Sequence, residues 1–344
     1  MAKKAINTQE QQENEISLLS LQELDSERAG LIDKVQQHMQ LLNQCFVARD
    51  RVIELATLCA MLGEPLLLLG PPGTGKSLLC RYLSESLHIP KEDRFEYLLT
   101  PFTEPSELFG PIDLNALKSG RYLRRQEGTL PHAKVAFIDE IFRANSSILN
   151  ALLSLLNDGV YYEEGQAKKA NLSILFAASN HLPHDPSLLA LSDRFMIKIP
   201  VDNTHEHSWD ELLHKGLNIA AQQFQNIALW QQGPATYIDL LKLRRYLDLS
   251  LAKESEDPEL RDYFFPPQLM LEWQTWMTAL SLDIGIYISD RKLIRLYRML
   301  RGLAILRGRN IVQKEDFILL RYVTQKSGEQ MLLDDYIYRT LGDL

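Results

Sequence analysis

The sequence contains few cysteines and no long apolar run. Its three cysteines, Cys45, Cys59 and Cys80, are far apart in a chain of 344 residues, so they provide neither a metal-ligand spacing nor a disulfide framework. Such sparse cysteine is typical of a reducing compartment, and we expect a cytoplasmic protein. The apolar runs, for example residues 66–69 and 174–178, are far shorter than the ~20 residues that cross a bilayer as a helix. We therefore expect no membrane span.

Positive charge is also scarce. Lysine and arginine number 37 against 45 aspartates and glutamates, which gives a net charge of −8 at pH 7. An acidic chain is poorly suited to bind nucleic acid or an anionic membrane through its overall charge, although a local basic stripe could still contact either. We therefore do not expect nucleic acid to be a partner.

Short apolar strands alternate with helical segments in the first 200 residues. Residues 1–17 are polar and rich in Gln and Glu, and we expect disorder there. Apolar residues at helical spacing follow up to about Met61. Buried strands separated by helices predict a parallel, doubly wound sheet, and beyond Pro200 the pattern is helical. The predicted fold class is therefore α/β, a five-stranded parallel sheet followed by an all-helical domain. The five predicted strands are residues 66–69, 95–99, 135–138, 172–178 and 196–199.

Residues 70–77 read Gly-Pro-Pro-Gly-Thr-Gly-Lys-Ser and match the phosphate-loop spacing G-x-x-x-x-G-K-[ST] at every fixed position. The glycines let backbone N–H groups point at phosphates, and the helix that follows adds its positive N-terminal end. Lys76 would reach the β- and γ-phosphates, and Ser77 would bind Mg²⁺. A chance glycine-rich turn would show the same residues in about one chain of this length per hundred. The predicted nucleotide-binding residues are Gly70, Pro71, Pro72, Gly73, Thr74, Gly75, Lys76, Ser77 and Leu78.

Two acidic residues, Asp139 and Glu140, directly follow the apolar strand at residues 135–138. They are expected at the carboxyl edge of the sheet, where ligands of this fold class bind. Asp139 would be the second Mg²⁺ ligand beside Ser77, and Glu140 would polarise the attacking water. The alternative is a solvated strand end.

Two further polar residues follow or precede later strands. Asn180 comes directly after a predicted strand and could hydrogen-bond the γ-phosphate or the attacking water, whereas a turn-forming asparagine is the alternative. Arg194 precedes the last predicted strand and could stabilise the γ-phosphate of a neighbouring subunit in trans. A surface salt bridge with Asp193 is the alternative.

The ordered set of these segments resembles the AAA+ superfamily, and specifically its MoxR family. The RavA-like group is the most similar, because of residues 178–183 and Ser289-Asp-Arg291, where the wider family usually has Pro in place of Asp290. The segments that carry the resemblance are residues 70–77, 137–145, 177–180, 193–195, 288–291, 308–309 and 315–316.

The resemblance implies a homo-oligomeric ring, usually a hexamer, with ATP and Mg²⁺ bound between subunits. In that arrangement Asn180 corresponds to sensor 1, Arg194 to the arginine finger and Arg291 to sensor 2, and Arg143 is a second candidate for intersubunit contact. The candidate catalytic residues are therefore Lys76, Asp139, Glu140, Asn180, Arg194 and Arg291.

The resemblance also organises the chain. We expect a polar N-terminal extension at 1–30, an AAA+ nucleotide-binding domain at 31–203, a helical lid at 204–325 and a C-terminal tail at 326–344. An insertion is expected at 101–132 and a hairpin at about 160–171.

A basic face is predicted on the lid helix at 291–308. We expect this face to be solvated or to contact another subunit, with Arg291 alone turning to the nucleotide. Direct nucleic-acid binding by the stripe is the lesser alternative. Its basic residues are Arg291, Lys292, Arg295, Arg298 and Arg301.

These features predict a magnesium-dependent ATPase. The resemblance implies that it remodels, activates or loads a cofactor into a client protein, with a partner that contains a von Willebrand factor A (VWA) domain. The alternative is a nucleic-acid-dependent AAA+ motor, helicase-like or similar to the McrB restriction ATPases. A small-molecule kinase is disfavoured, because a monomeric kinase has no use for Arg194, Asn180 and the lid. A GTPase is disfavoured, because the sequence has no Asn-Lys-x-Asp stretch to bind guanine.

Overall fold

The computed structural model describes residues 11–204, 208–225, 228–286, 288–324 and 329–341. No helix in these ranges has the length and apolar content needed to cross a bilayer.

A five-stranded parallel sheet forms the centre of the α/β part, as the sequence predicts. Its order is β2-β3-β6-β1-β7, and every neighbouring pair is parallel. No strand follows Pro200 within the ranges given above. The strands of this sheet are β1 (Leu66–Leu69), β2 (Arg94–Leu98), β3 (Val135–Asp139), β6 (Ile174–Ser179) and β7 (Ile197–Pro200).

The predicted hairpin forms as a separate antiparallel pair. It consists of β4 (Val160–Glu163) and β5 (Gln166–Lys169). Glu164 and Gly165 join the two strands with φ values of 52° and 76°. Two consecutive left-handed residues are typical of the tight turn that matches the twist of a hairpin.

The helices surround the sheet and then form the lid. They are α1 (residues 11–18), α2 (Leu21–Cys45), α3 (Asp50–Leu62), α4 (Lys76–Ser86), α5 (Pro105–Phe109), α6 (Leu114–Lys118), α7 (Ser146–Asp158), α8 (Pro186–Ser192), α9 (Trp209–Phe224), α10 (Tyr237–Glu256), α11 (Pro258–Phe264), α12 (Pro267–Ala279), α13 (Asp290–Leu306) and α14 (Glu329–Leu341). A π-helical turn covers Leu280–Ile284, and a 3₁₀ helix covers Lys314–Tyr322.

Alternate residues of the strands enter two apolar cores, as expected for a sheet that is covered on both faces. Leu66 and Leu68 belong to one core, whereas Leu67 belongs to the other, which is closed by α7. The first core extends into the lid, where it includes Leu296 and Leu300 of α13. The lid therefore shares buried apolar contacts with the α/β part.

The prediction of disorder at residues 1–17 is wrong for the part that the structure describes. Residues 11–18 are helical, Ile16 is buried, and Glu13 accepts a hydrogen bond of 2.5 Å from the Lys134 side chain. A polar segment of this kind is ordered by contacts with the folded domain, which local composition does not reveal. Residues 1–10 lie outside the described ranges, and α2 runs through the predicted boundary at residue 30 without a break.

The prediction that the basic face of α13 is solvated or intersubunit is also wrong for four of its five residues. Lys292 pairs with Asp193, and Arg295 donates to Glu64 Oε2 at 3.0 Å. The head groups of these four residues each find a carboxylate or carbonyl on their own chain, and Arg291 is the exposed member of the five. The two other packed residues are Arg298, which donates to Leu62 O at 3.0 Å, and Arg301, which pairs with Glu254 at 2.8 Å.

Candidate ATPase site

The phosphate loop joins β1 to α4 with the backbone that its glycines permit. Gly73 and Gly75 have φ values of 83° and 84°, which cost glycine little. Gly75 is the N-cap of α4, so the first free N–H groups of that helix open onto the loop. The Lys76 ammonium donates to Gly70 O at 2.7 Å and to Pro71 O at 2.8 Å. Burial lowers the pKa of Lys76, while the nearby Asp139 and Glu140 oppose that effect.

The loop begins against the backbone of the residue that follows β7. Gly70 N donates to Ser179 O at 3.1 Å, which ties the loop to the end of β6. A Cβ at Gly70 would lie 2.2 Å from Val201 O, closer than real contacts allow. The position therefore requires glycine for close backbone approach as well as for its φ of 153°.

Gly70→Ala is expected to lower stability by about 1–3 kcal/mol more than Gly73→Ala, because only the first methyl group meets backbone. A Cβ at Gly73 has nothing within 4 Å, so that variant carries the conformational strain without the clash. Urea unfolding of both variants measures the difference, and binding of a fluorescent ATP analogue reports displacement of the loop. Equal unfolding free energies for the two variants would contradict the close approach.

Asp139 and Glu140 lie at the carboxyl end of β3, where the sequence places them. Glu140 N donates to Asp139 Oδ1 at 2.9 Å. Glu140 itself has φ 53° and ψ 44°, the left-handed conformation that costs a residue with a side chain about 1 kcal/mol or more. This sharp turn redirects the chain directly after the strand and presents both carboxylates at the edge of the sheet.

The structure brings Asn180 to Glu140. Since β3 and β6 are neighbours, the residues that follow them meet, and Asn180 Nδ2 donates to Glu140 Oε1 at 2.8 Å. The other oxygen of Glu140 lies 3.5 Å from Arg143 Nε. A carboxylate held at both oxygens has a fixed orientation, as a general base needs. The contact places Arg143 within its own subunit's site, and its role between subunits stays a prediction.

The donor set fits a magnesium ion bound together with phosphates. Ser77 in the first turn of α4 and Asp139 at the end of β3 supply the hard oxygen ligands that Mg²⁺ prefers. Over the ranges that the structure describes, no group of three or more His, Cys, Asp or Glu side chains is arranged to hold a metal alone. A cation here would take its remaining ligands from phosphate and water, which is the usual mode for Mg²⁺ in nucleotide sites.

Arg194 follows α8 and does not form the surface salt bridge that was its alternative. Asp193 is instead the partner of Lys292. Among the described residues Arg194 has no ion pair, and its Nε is buried without a hydrogen-bond partner. Its carbonyl accepts a bond of 3.4 Å from Arg295.

Arg291 lies in the first turn of α13 and is exposed. No hydrogen bond or ion pair among the described residues joins it to the phosphate loop, so its role as sensor 2 stays a prediction. Sequence reasoning assigned Lys292 and Arg295 of the same helix to a solvated or intersubunit face and missed their partners, Asp193 for Lys292 and Glu64 for Arg295. The basic spacing of α13 was visible in the sequence, but the carboxylates that meet it come from distant segments.

A cavity of about 960 Å³ lies at the opposite edge of the sheet. It is lined by residues that precede the strands, such as Lys134 and Ser173, and by Glu13 of α1. None of the candidate catalytic residues contributes to it. The cavity is therefore separate from the carboxyl edge, where the phosphate loop, Glu140 and Asn180 converge.

The family of the chain follows from this arrangement and from one comparison. A family model described as the MoxR domain in the MoxR-vWA-beta-propeller ternary systems matches residues 33–234, more than half of the chain. The chain belongs to the MoxR family of AAA+ ATPases. A second model, for an AAA lid domain, matches residues 274–332 of this MoxR protein. The predicted family and fold class are confirmed, whereas the RavA-like assignment and the domain boundaries stay predictions.

Some known relatives are similar along most of this MoxR chain and others along about a third of it. Two uncharacterized proteins of Methanocaldococcus jannaschii are each 32% identical to it; one match covers 85% of this chain and 70% of the relative, the other 85% and 71%. A chaperone protein ClpB of Dichelobacter nodosus is 31% identical over 120 residues, 33% of this chain and 14% of that protein. A crystal structure of a candidate ATPase from Cytophaga hutchinsonii superimposes with a TM-score of 0.70 at 17% identity, over 93% of this chain and 98% of that one. At that identity the likeness shows the fold alone.

Proposed function

We propose that this chain is a magnesium-dependent ATPase that works as a ring, with each ATP bound between two subunits, and that hydrolysis drives the remodelling or cofactor loading of a client protein. The observation that carries the proposal is the 2.8 Å contact between Asn180 and Glu140. It lies at the sheet edge that also holds the phosphate loop, because Gly70 N bonds to Ser179 O, one residue before Asn180.

Each residue would have a distinct task in hydrolysis. The loop amides and Lys76 would bind the phosphates, exchanging the carbonyl contacts of the lysine for phosphate oxygens. Glu140 would accept the proton of the attacking water, while Asn180 keeps the carboxylate oriented. A bound Mg²⁺ would neutralise phosphate charge, with Ser77 and Asp139 as its protein ligands. Arg194, which has no ion pair of its own among the described residues, would stabilise the phosphate of the adjoining subunit.

The partner is proposed from the family. The matching model describes MoxR domains that occur in systems with VWA and β-propeller proteins, and we infer a VWA-domain protein as the partner through which a client is reached. The nucleic-acid-dependent motor is the less favoured alternative. Its best sequence feature was the basic face of α13, and four of those five residues are engaged within the chain.

ATP turnover per subunit is expected to rise with protein concentration and to be unaffected by DNA, because each site is completed by the adjoining subunit. Phosphate release measured over a dilution series, with and without single- and double-stranded DNA, tests both points. Lys76→Met is the control, and it should lower turnover by about 10²-fold or more, since the lysine binds the phosphates directly. Strong stimulation by DNA would favour the motor, and turnover per subunit that is independent of concentration would argue against shared sites.

A further inference from the structure

The first turns of α13 are attached to the segment that carries Arg194. The Lys292 side chain is 9% exposed and pairs with Asp193, whose own side chain is 47% exposed. One turn later, Arg295 donates to Glu64 Oε2 at 3.0 Å and to the Arg194 carbonyl at 3.4 Å. The lid helix therefore contacts both the residue before the proposed finger and the backbone of the finger itself.

Each partner of the Lys292–Asp193 ion pair is adjacent in sequence to one of the two candidate arginines. Lys292 directly follows Arg291, the lid arginine that is expected to sense nucleotide in its own subunit. Asp193 directly precedes Arg194, the arginine that is expected to act on the next subunit. One ion pair thus joins the segment expected to contact the nucleotide of its own subunit to the segment expected to act on the next subunit.

Asp193, together with Glu329 of α14, supplies negative charge beside the buried lysines of this junction. Lys198 of β7 is buried and donates to Phe195 O at 2.8 Å. Burial, followed by the neighbouring Lys292, lowers the pKa of Lys198 to about 7. A buried lysine that loses its acidic partner beside a second buried lysine is unfavourable, so movement of α13 would draw the Asp193 segment with it.

We propose that Lys292 is a positioning residue: through Asp193 it sets the orientation of Arg194, so that movement of the lid in one subunit changes catalysis in the next. The proposal rests on the proposed function, since it requires Arg194 to act in trans. The molecule that Arg194 contacts is therefore a second copy of this chain with ATP bound.

The test begins with Asp193→Asn and Lys292→Met. Each is expected to lower kcat by about 10- to 100-fold, as a misplaced catalytic group does, while the affinity for an ATP analogue stays unchanged. The double variant Asp193→Lys with Lys292→Asp, which exchanges the two charges, should be more active than Asp193→Lys alone or Lys292→Asp alone. Thermal unfolding confirms that each variant is folded.

Arg298→Met is the matched control. Arg298 also holds α13 to the rest of the chain, through Leu62 O at 3.0 Å, Asp248 at 2.9 Å and, more distantly, Glu64 at 3.8 Å, but it makes no direct contact with the Arg194 segment. If the Lys292 pair acts only by attaching the lid, Arg298→Met should lower kcat as much, and that result would overturn the proposal.

A double-mutant cycle with Arg194→Ala tests the positioning role of Lys292 separately from the trans role of Arg194. If Lys292 acts through Arg194, Lys292→Met should add no further loss in the Arg194→Ala background. An additive loss would overturn the positioning role. Wild-type turnover in Arg194→Ala would show that Arg194 does not act in trans, and this proposal would fall with that role. A large loss of turnover in Arg194→Ala together with normal turnover in Lys292→Met would keep the role of Arg194 and reject only its link to the lid.

Discussion

Glu140→Gln is expected to lower kcat by about 10²–10⁴-fold, the usual contribution of a general base, while ATP still binds. Glutamine has nearly the same shape, and its amide oxygen can still accept the Asn180 hydrogen bond. It cannot take the proton of the attacking water. Single-turnover phosphate release and the affinity for a fluorescent ATP analogue measure the two quantities separately.

Glu92→Gln is the matched control for the loss of one carboxylate. Glu92 is exposed and lines the cavity at the opposite edge of the sheet, so its replacement should leave both quantities unchanged. Turnover close to wild type in Glu140→Gln would take the role of base away from Glu140. Loss of ATP binding in that variant would instead mean that the carboxylate shapes the nucleotide site.

Arg194→Ala is expected to lower kcat by about 10³-fold or more, the range observed for arginine fingers. The reason is the loss of positive charge at the phosphate of the neighbouring subunit, and little stability should be lost, because the guanidinium has no ion pair among the described residues. Activity should return in part when this variant is mixed with Lys76→Met subunits. The first supplies an intact phosphate loop and the second an intact finger, so a mixed interface is complete.

The mixing experiment has a built-in control, since each variant alone provides no complete interface. Phosphate release at several mixing ratios should pass through a maximum at an intermediate ratio. Absence of recovery at every ratio would indicate that Arg194 acts within its own subunit.

Much of the fold and of the candidate site could be predicted from the sequence, because the relevant signals are local. The change from helical spacing to the run Leu66–Leu69, followed by the glycine-rich loop, predicts a strand, a phosphate loop and a helix. The meeting of Glu140 and Asn180 follows from a general property of parallel sheets, whose strands end at one edge.

The features that could not be predicted depend on distant partners. The basic spacing of α13 is compatible with a solvated face, and nothing near it in sequence shows that Glu64 and Asp193 will meet Arg295 and Lys292. Likewise, the polar composition of residues 11–18 favours disorder, whereas Lys134 orders the helix through Glu13. Contacts between residues 99 or more positions apart leave no periodic signal in either segment.

At Glu140, the residue type that best fits the left-handed backbone differs from the residue type that the proposed reaction needs. Glycine would adopt that conformation with the least cost, yet it would bring no proton acceptor to the water. The residue that suits the turn best is thus one that cannot perform the proposed reaction. The protein accepts a small local penalty in stability at the position where the proposed reaction requires a carboxylate.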